Sequence, residues 1–363
     1  MRPSPRITRP LVYVIVIACA IAALQLTKQS SGGNKYEESF QVFGTYGTIT
    51  LWTAEKEKAE RVCQKIISKL HKLNNRISLF KTNSELSHLN EKAGRLAVKC
   101  TPELWRILQQ SQQAYKQTQG AFDISVGPLM DTWGFYTDRK MYPPENEVAQ
   151  TVKKIGLDNV TFNKEERSVK FDNNKVYLDL GGIAKGYGLD MAVKTAENAG
   201  IKRGMINLGG NIYVFPKPPP DREKYRIGIR NPLDKTKTLN KITVTDKFIA
   251  TSGNYENKHD LNGKLVHHII NPETGYPVPK VSSTTVVADS GVKSDVYSTA
   301  IFIKGWDFAR DLCFNNRNIS VMRVKKNSKG KFRIQALNWH WPLKKAQQRL
   351  EKHSGTEKIE IKP

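Results

Sequence analysis

Apolar and polar positions follow different periods in different parts of the chain, and each period predicts an element. From Phe40 to Trp52 they alternate by twos, F-Q-V-F-G-T-Y-G-T-I-T-L-W, which predicts a strand or a hairpin. Between Glu55 and Leu73 the apolar Val62, Ile66, Leu70 and Leu73 recur at helical spacing, with Lys and Glu opposite. Thr101 to Gln119 repeats that pattern with Leu104, Ile107, Leu108 and Ala114, and Gly120 stops it. Ser84 and Glu85 read as another helix start, with Phe80 before them as ordinary core. Gly127-Pro128 reads as a turn and Trp133 as a core or lid aromatic, followed by a polar connection with a short helix from Tyr142 to Gly156. Phe162 to Phe171 reads as a solvent-facing hairpin. Met205 to Val214 is a strand broken by paired glycines, and short strands follow at Ile227–Arg230, Ile242–Val244, Phe248–Ala250 and Ser283–Ala288. Pro216 to Asp221 cannot be helical and marks an exposed excursion.

One stretch stands apart: Y-L-D-L-G-G-I-A-K-G-Y-G-L-D, Tyr177 to Asp190. The apolar run Val176 to Leu180 predicts a short strand, Gly181-Gly182 a tight turn, and the residues beyond a helix ending at Gly200. Gly186 and Gly188 then fall in the first helical turns, where each costs about 1 kcal/mol relative to Ala. Glycines there suit a large group approaching the backbone closely. Orphan amides and the positive end of the helix dipole favour phosphate, with the Lys185 ammonium beside them and Asp179 at the strand's end. Simple chain reversal fits the same pattern.

The N-terminus is of another kind. Arg2, Arg6 and Arg9 precede an apolar segment from Leu11 to Leu26, the layout of an export or anchor signal, so residues 1–28 are set apart from the fold. Positive charge ahead of the segment predicts a cytoplasmic start and an exported body. Lipidation at Cys19 after Val16-Ile17-Ala18, an uncleaved span and ordinary cleavage are all open, and the first two tether the chain to a membrane. Residues 29–35, Q-S-S-G-G-N-K, read as a flexible linker, 36–343 as the body, and 344–363 as a basic tail, helical at first and then frayed.

Net charge is +24, from 58 Lys and Arg against 34 Asp and Glu. That allows a solvated basic surface, anionic lipid or an acidic ligand; no RNP-like, zinc-finger or helix-turn-helix pattern supports nucleic acid. Cys19, Cys63, Cys100 and Cys313 lack any C-x-x-C spacing, which leaves zinc and a disulfide framework unsupported and a single disulfide open.

D-L-G-G-I-A-K-G-Y-G-L-D resembles the signature of the ApbE family, FAD-dependent transferases of FMN, and further motifs stand in that family's order. Gly44 to Thr48 resembles its G-T-M-G-T, with Tyr46 in place of the Met that contacts flavin. Arg76 to Asn90 resembles its Arg-x-Ser-x-aromatic…Ser-Glu run, which would put Phe80 near a ring of FAD. Ala121 to Leu129 resembles A-F-D-x-T-V-G-P-L, implying that Ala121, Phe122 and Asp123 hold FAD. Met205 to Val214 resembles N-x-G-G-(N/D)-I-x-V. Thr251 to Tyr255 and Val266 to Pro277 resemble T-S-G-x-Y…H-H-I-I-D-P-x-T-G-x-P, with Asn271 where Asp is usual.

In that last motif His267 and His268 would point to opposite faces of a strand. The resemblance makes His268 the base and Ile269 an FAD contact. Finally, Ser294 to Ala300, S-D-V-Y-S-T-A, resembles A-D-A-L-A-T-A, whose Asp and Thr ligate Mg²⁺. The i,i+4 spacing puts Asp295 and Thr299 on one helix face; Ser294 as N-cap with Asp295 in the first turn is the plainer reading.

The resemblance spans roughly 40–334. It implies an α+β fold of mixed, largely antiparallel sheets with packed helices. It also implies Mg²⁺ on Asp295, Thr299 and the Gly182 carbonyl, with FAD on Tyr46, Phe80, Ala121–Asp123, Asp179, Lys185 and Ile269. The implied reaction moves FMN from FAD onto a Thr or Ser hydroxyl of a partner protein, a membrane redox subunit, and AMP leaves. The implied location is the periplasmic face of a bacterial inner membrane. The rival readings are hydrolysis of FAD to FMN and AMP in the same pocket, and a flavin-binding lipoprotein without catalysis.

Overall fold

The computed structural model describes residues 34–173, 175–327, 329–351 and 360–362. The expected anchor segment and Cys19 lie outside them. Among the described residues no helix is long and apolar enough to cross a membrane.

The described residues open with a hairpin, β1 (Asn34–Val42) and β2 (Thr45–Thr53), so β1 includes the last residues of the expected linker. Its turn is Phe43-Gly44, both at positive φ. Helices α1 (Lys56–Ile77), α2 (Glu85–Lys92) and α3 (Pro102–Gln117) follow, with β3 (Val98–Lys99) between the last two. The hydroxyls of Ser84 and Thr101 cap α2 and α3. Gly127-Pro128, expected as a turn, instead opens α4 (Gly127–Thr132), where Pro needs no amide partner. Then come α5 (Glu145–Val152), β4 (Val160–Asn163) and β5 (Ser168–Phe171), which form a three-stranded sheet with β3. This hairpin is not solvent-facing throughout: Val169 and Phe171 are buried in the core.

The central stretch becomes α6 (Gly181–Asn198), after which β6 (Gly204–Leu208) and β7 (Asn211–Val214) turn at Gly209-Gly210. Next are β8 (Tyr225–Asn231), β9 (Asp234–Val244), β10 (Lys247–Gly253), β11 (Lys258–Leu261), β12 (Lys264–His267) and β13 (Val281–Ala288). Helices α7 (Gly291–Lys304) and α8 (Trp306–Asn315) precede β14 (Ser320–Lys326), β15 (Phe332–Leu337), α9 (Lys344–Glu351) and β16 (Glu360–Lys362).

The main sheet runs β1-β2-β6-β7-β10-β13-β14-β15-β16, antiparallel except for β15 with β16. This is the α+β, largely antiparallel architecture that the sequence implied. Helices cover one face, where Val286 and Val321 meet α7 and α8. On the other, Val287 and Met322 meet the β8–β9 hairpin and α9. With both faces covered, every residue of β13 is buried. The basic tail therefore starts as part of the body: Ala346 and Leu350 of α9 are fully buried.

Two predicted features of the central stretch differ. Val176–Leu180 joins no sheet; the Asn90 side chain takes both backbone groups of Leu178 (2.8 and 2.9 Å) and stands in for a strand partner. Gly181 and Gly182 are the first helical residues rather than a turn. Nor do the helical glycines open the backbone to a ligand. A Cβ on Gly186 would lie 2.5 Å from the Gly291 carbonyl oxygen and 2.8 Å from Asp295 Cβ, and one on Gly188 would lie 2.8 Å from the Phe43 ring. They let α7 and the β1–β2 turn pack directly on α6.

Gly186→Ala should therefore lower the melting temperature. The overpacking, about 1–3 kcal/mol against unyielding backbone, outweighs the roughly 1 kcal/mol that Ala contributes to helix propensity. An unchanged thermal melt would contradict the close α6–α7 contact.

Candidate active site

The site is assembled where the N-terminal half of α6 lies against α7. Asp190, near the middle of α6, accepts the amides of Gly291 (2.7 Å) and Val292 (3.0 Å) and the Ser290 hydroxyl (3.1 Å). It pins the start of α7, whose own cap is Ser290. Ser294 is thus not the N-cap that the sequence suggested, and Asp295 sits in the second turn. Burial pushes the Asp190 carboxyl up, against the bonds that lower it.

Asp295 is buried, and its carboxylate reaches across to α6. Oδ2 accepts the Gly186 amide at 2.9 Å and Oδ1 lies 4.0 Å from Lys185 Nζ. Gly186 is one helical turn beyond Gly182, so the carboxylate runs beside the part of α6 that carries the Gly182 carbonyl. Thr299 is one turn further along α7, its hydroxyl 3.0 Å from Ser252 Oγ on β10. A carboxylate, a hydroxyl and a carbonyl are hard oxygen donors of the type Mg²⁺ takes. Among the described residues no three acidic, His or Cys side chains cluster as a metal cage.

At the mouth of α6, Asp179 Oδ1 accepts the Gly181 amide at 2.8 Å, and Oδ2 accepts the Tyr136 hydroxyl at 2.5 Å. The Tyr136 ring carries Phe80 edge-on, 5.3 Å between centroids. Phe80 is 77% exposed, so it is not the core residue its sequence context suggested. An aromatic held in solvent beside a helix N-terminus is placed to stack on a planar ligand. Phe122 packs against Gly182, while Ala121 and Asp123 line a cavity of about 330 Å³ with Asn271, Pro272, Glu273 and Lys304. Burial raises the Asp123 carboxyl to about 6, against its bonds from the Ser125 amide and hydroxyl.

β12 ends at His267, and His268 stands just beyond it rather than on the strand. His268 Nδ1 is 3.3 Å from the Asn257 carbonyl oxygen, to which it donates, so Nε2 keeps its lone pair. Burial lowers the imidazole to about 4, and the Lys185 charge pushes the same way. It is therefore neutral at pH 7.

Tyr46 is 73% exposed, and its carbonyl accepts the Gly209 amide at 3.0 Å, on the β6–β7 turn. Ile269 is buried among Val278, Val281 and Phe302, its side chain committed to that small core.

The ApbE family model matches residues 43–322. The chain belongs to the ApbE family. Its relatives include the FAD:protein FMN transferase of Haemophilus influenzae, 29% identical over 330 residues, 88% of this chain and 93% of that protein. Among solved structures, the ApbE protein of Thermotoga maritima superposes with a TM-score of 0.74 at 28% identity, covering 82% of this chain and 96% of that one. The flavin transferase ApbE of Vibrio cholerae gives 0.71 at 25% identity, covering 84% and 97%.

Two groups that build this ApbE site carried no sequence signal, Tyr136 and Asn257, while Asn90 and Asp190 each close a family motif that does not say what they bind. Only the paired motifs Y-G-L-D and S-G-V-K-S-D could have hinted that Asp190 meets Gly291. Cys63, Cys100 and Cys313 are buried and free of disulfides, and burial pushes each thiol up to about 12, so none is a reactive thiolate.

Proposed function

We propose that this chain is an FAD:protein FMN transferase, forming a phosphoester between FMN and a Thr or Ser hydroxyl of an acceptor protein with release of AMP. The observation that carries it is the meeting of Asp295, Lys185 and the α6 N-terminus across two helices, with His268 within the field of Lys185.

Attack on the flavin-side phosphorus crowds negative charge on phosphate oxygens, so positioning and positive potential dominate the barrier. Lys185 and the α6 amides supply fixed positive potential. His268 Nε2 is the acceptor of the hydroxyl proton as the new P–O bond forms and the bond to AMP breaks. Phe80 is available to a ring of FAD, and Tyr136 holds Asp179 on the helix mouth. Asp295, Thr299 and the Gly182 carbonyl would hold Mg²⁺, which when bound neutralises the diphosphate and the departing phosphate. The arginines and apolar run at the N-terminus support tethering at a bacterial inner membrane with the body in the periplasm, and a membrane redox subunit as acceptor.

The test is incubation with FAD, Mg²⁺ and fragments of membrane redox subunits, read by intact mass. An acceptor heavier by one FMN less one water, with stoichiometric AMP, is expected. FMN and AMP formed equally without acceptor would make the protein a hydrolase, and FAD left intact would make it a binding protein.

A further inference from the structure

Three hydroxyls lie in a row beneath the face of α7 that points to β10. Ser252 Oγ is 2.8 Å from Ser298 Oγ and 3.0 Å from Thr299 Oγ1, while Ser298 Oγ is 2.9 Å from the Asp295 carbonyl oxygen. Each hydroxyl has one proton, and that fixes the order of donation. A carbonyl only accepts, so Ser298 donates to Asp295 O. Ser298 has then no proton for Ser252, and Ser252 is the donor between them. With its own proton used, Ser252 is the acceptor at the remaining contact, and Thr299 donates to it. The alternative acceptor for Thr299, the Asp295 carbonyl, is 3.4 Å away.

We infer that Ser252 is a positioning residue for the cation site. It draws the Thr299 proton down toward β10 and leaves the Thr299 lone pairs facing away, toward the side on which Asp295 meets α6. A neutral hydroxyl ligates a cation only through a free lone pair with its proton directed elsewhere. Without Ser252, Thr299 has only the long contact to hold its rotamer and its proton. The chain Thr299 to Ser252 to Ser298 to Asp295 O thus ties together the two α7 residues that supply oxygens. Ser252 is held rigidly: its backbone pairs with Thr284 in the middle of the main sheet, and Ser298 is fully buried. This inference rests on the Mg²⁺ site proposed above.

The experiment is calorimetric titration of Mg²⁺ into the full chain holding FAD, without acceptor, comparing wild type with Ser252→Ala, Ser252→Thr and Asp295→Ala. Ser252→Ala should weaken Mg²⁺ binding by about tenfold, the usual scale for loss of a group that orients a ligand. Its FAD affinity without metal, read by flavin fluorescence, should stay at the wild-type value, while loss of the two hydroxyl contacts lowers its metal-free melting temperature. Ser252→Thr keeps the acceptor and should bind Mg²⁺ within about twofold of wild type. If Asp295→Ala loses Mg²⁺ while Ser252→Ala keeps wild-type affinity, the inference falls and the cation site stands. If wild type takes up no Mg²⁺ with FAD present, the cation site itself falls and takes the inference with it. A Ser252→Ala protein that melts early is read through Ser252→Thr: weak Mg²⁺ binding there too would overturn the role of the hydroxyl.

Discussion

Asp295→Asn is expected to slow flavin transfer by on the order of 10³-fold, with the metal-free protein melting near the wild-type temperature. The amide oxygen of Asn can still accept the Gly186 amide, so the α6–α7 bond survives. What is lost is the buried negative charge that faces Lys185 and that a divalent cation requires. Asp295→Ala should lose the same activity and stability as well, because an orphaned buried amide costs about 1–3 kcal/mol. The pair of variants separates charge from scaffold. Transfer by Asp295→Asn at the wild-type rate, measured by mass of the acceptor over time, would remove the carboxylate from the chemistry.

His268→Ala should lower transfer by about 10²–10⁴-fold, the range for loss of a general base. The pH profile gives a sharper check. Only the neutral imidazole takes a proton, and burial and Lys185 lower this one from 6.5 to about 4. Transfer should then stay level as pH falls from about 8 to about 5, and drop about tenfold per unit below about 4. An ordinary histidine would begin to lose activity near pH 6.5. The shift has a stability counterpart. Between about 4 and 6.5 the unfolded chain binds this proton and the folded one does not, so the contribution of His268 to stability rises with pH through that window. Lys185→Met removes one of the causes of the shift and should move the kinetic midpoint upward. A wild-type midpoint near 6.5 would show that His268 is not the base in a buried site.

The helices α1 and α3 and the Ser84 start of α2 were legible because their order is local. Val62, Ile66, Leu70 and Leu73 share one face at helical spacing, and a capping hydroxyl acts within three residues of itself. The family motifs were legible for a different reason: they are short runs whose likeness to one family needs no three-dimensional argument, and they carried FAD, Asp295, Thr299 and His268 together.

Where the sequence misled, a distant part of the chain supplied what the local pattern lacked. Val176–Leu180 has strand composition, but Asn90 satisfied Leu178 before any strand could. Gly186 and Gly188 looked like room for a ligand, but Gly291, Asp295 and Phe43 fill that room. Phe80 looked like core, yet its ring faces solvent beside Tyr136. The sequence by itself determined the helices, the hairpins and the types of chemical group present. The tertiary structure alone decided which groups meet, because the α6–α7 contact joins residues more than a hundred positions apart and depends on glycines small enough to let two backbones touch. The Asp190 clamp, the lowered imidazole of His268 and the hydroxyl row under Thr299 all follow from that packing and from burial, neither of which a run of residues records.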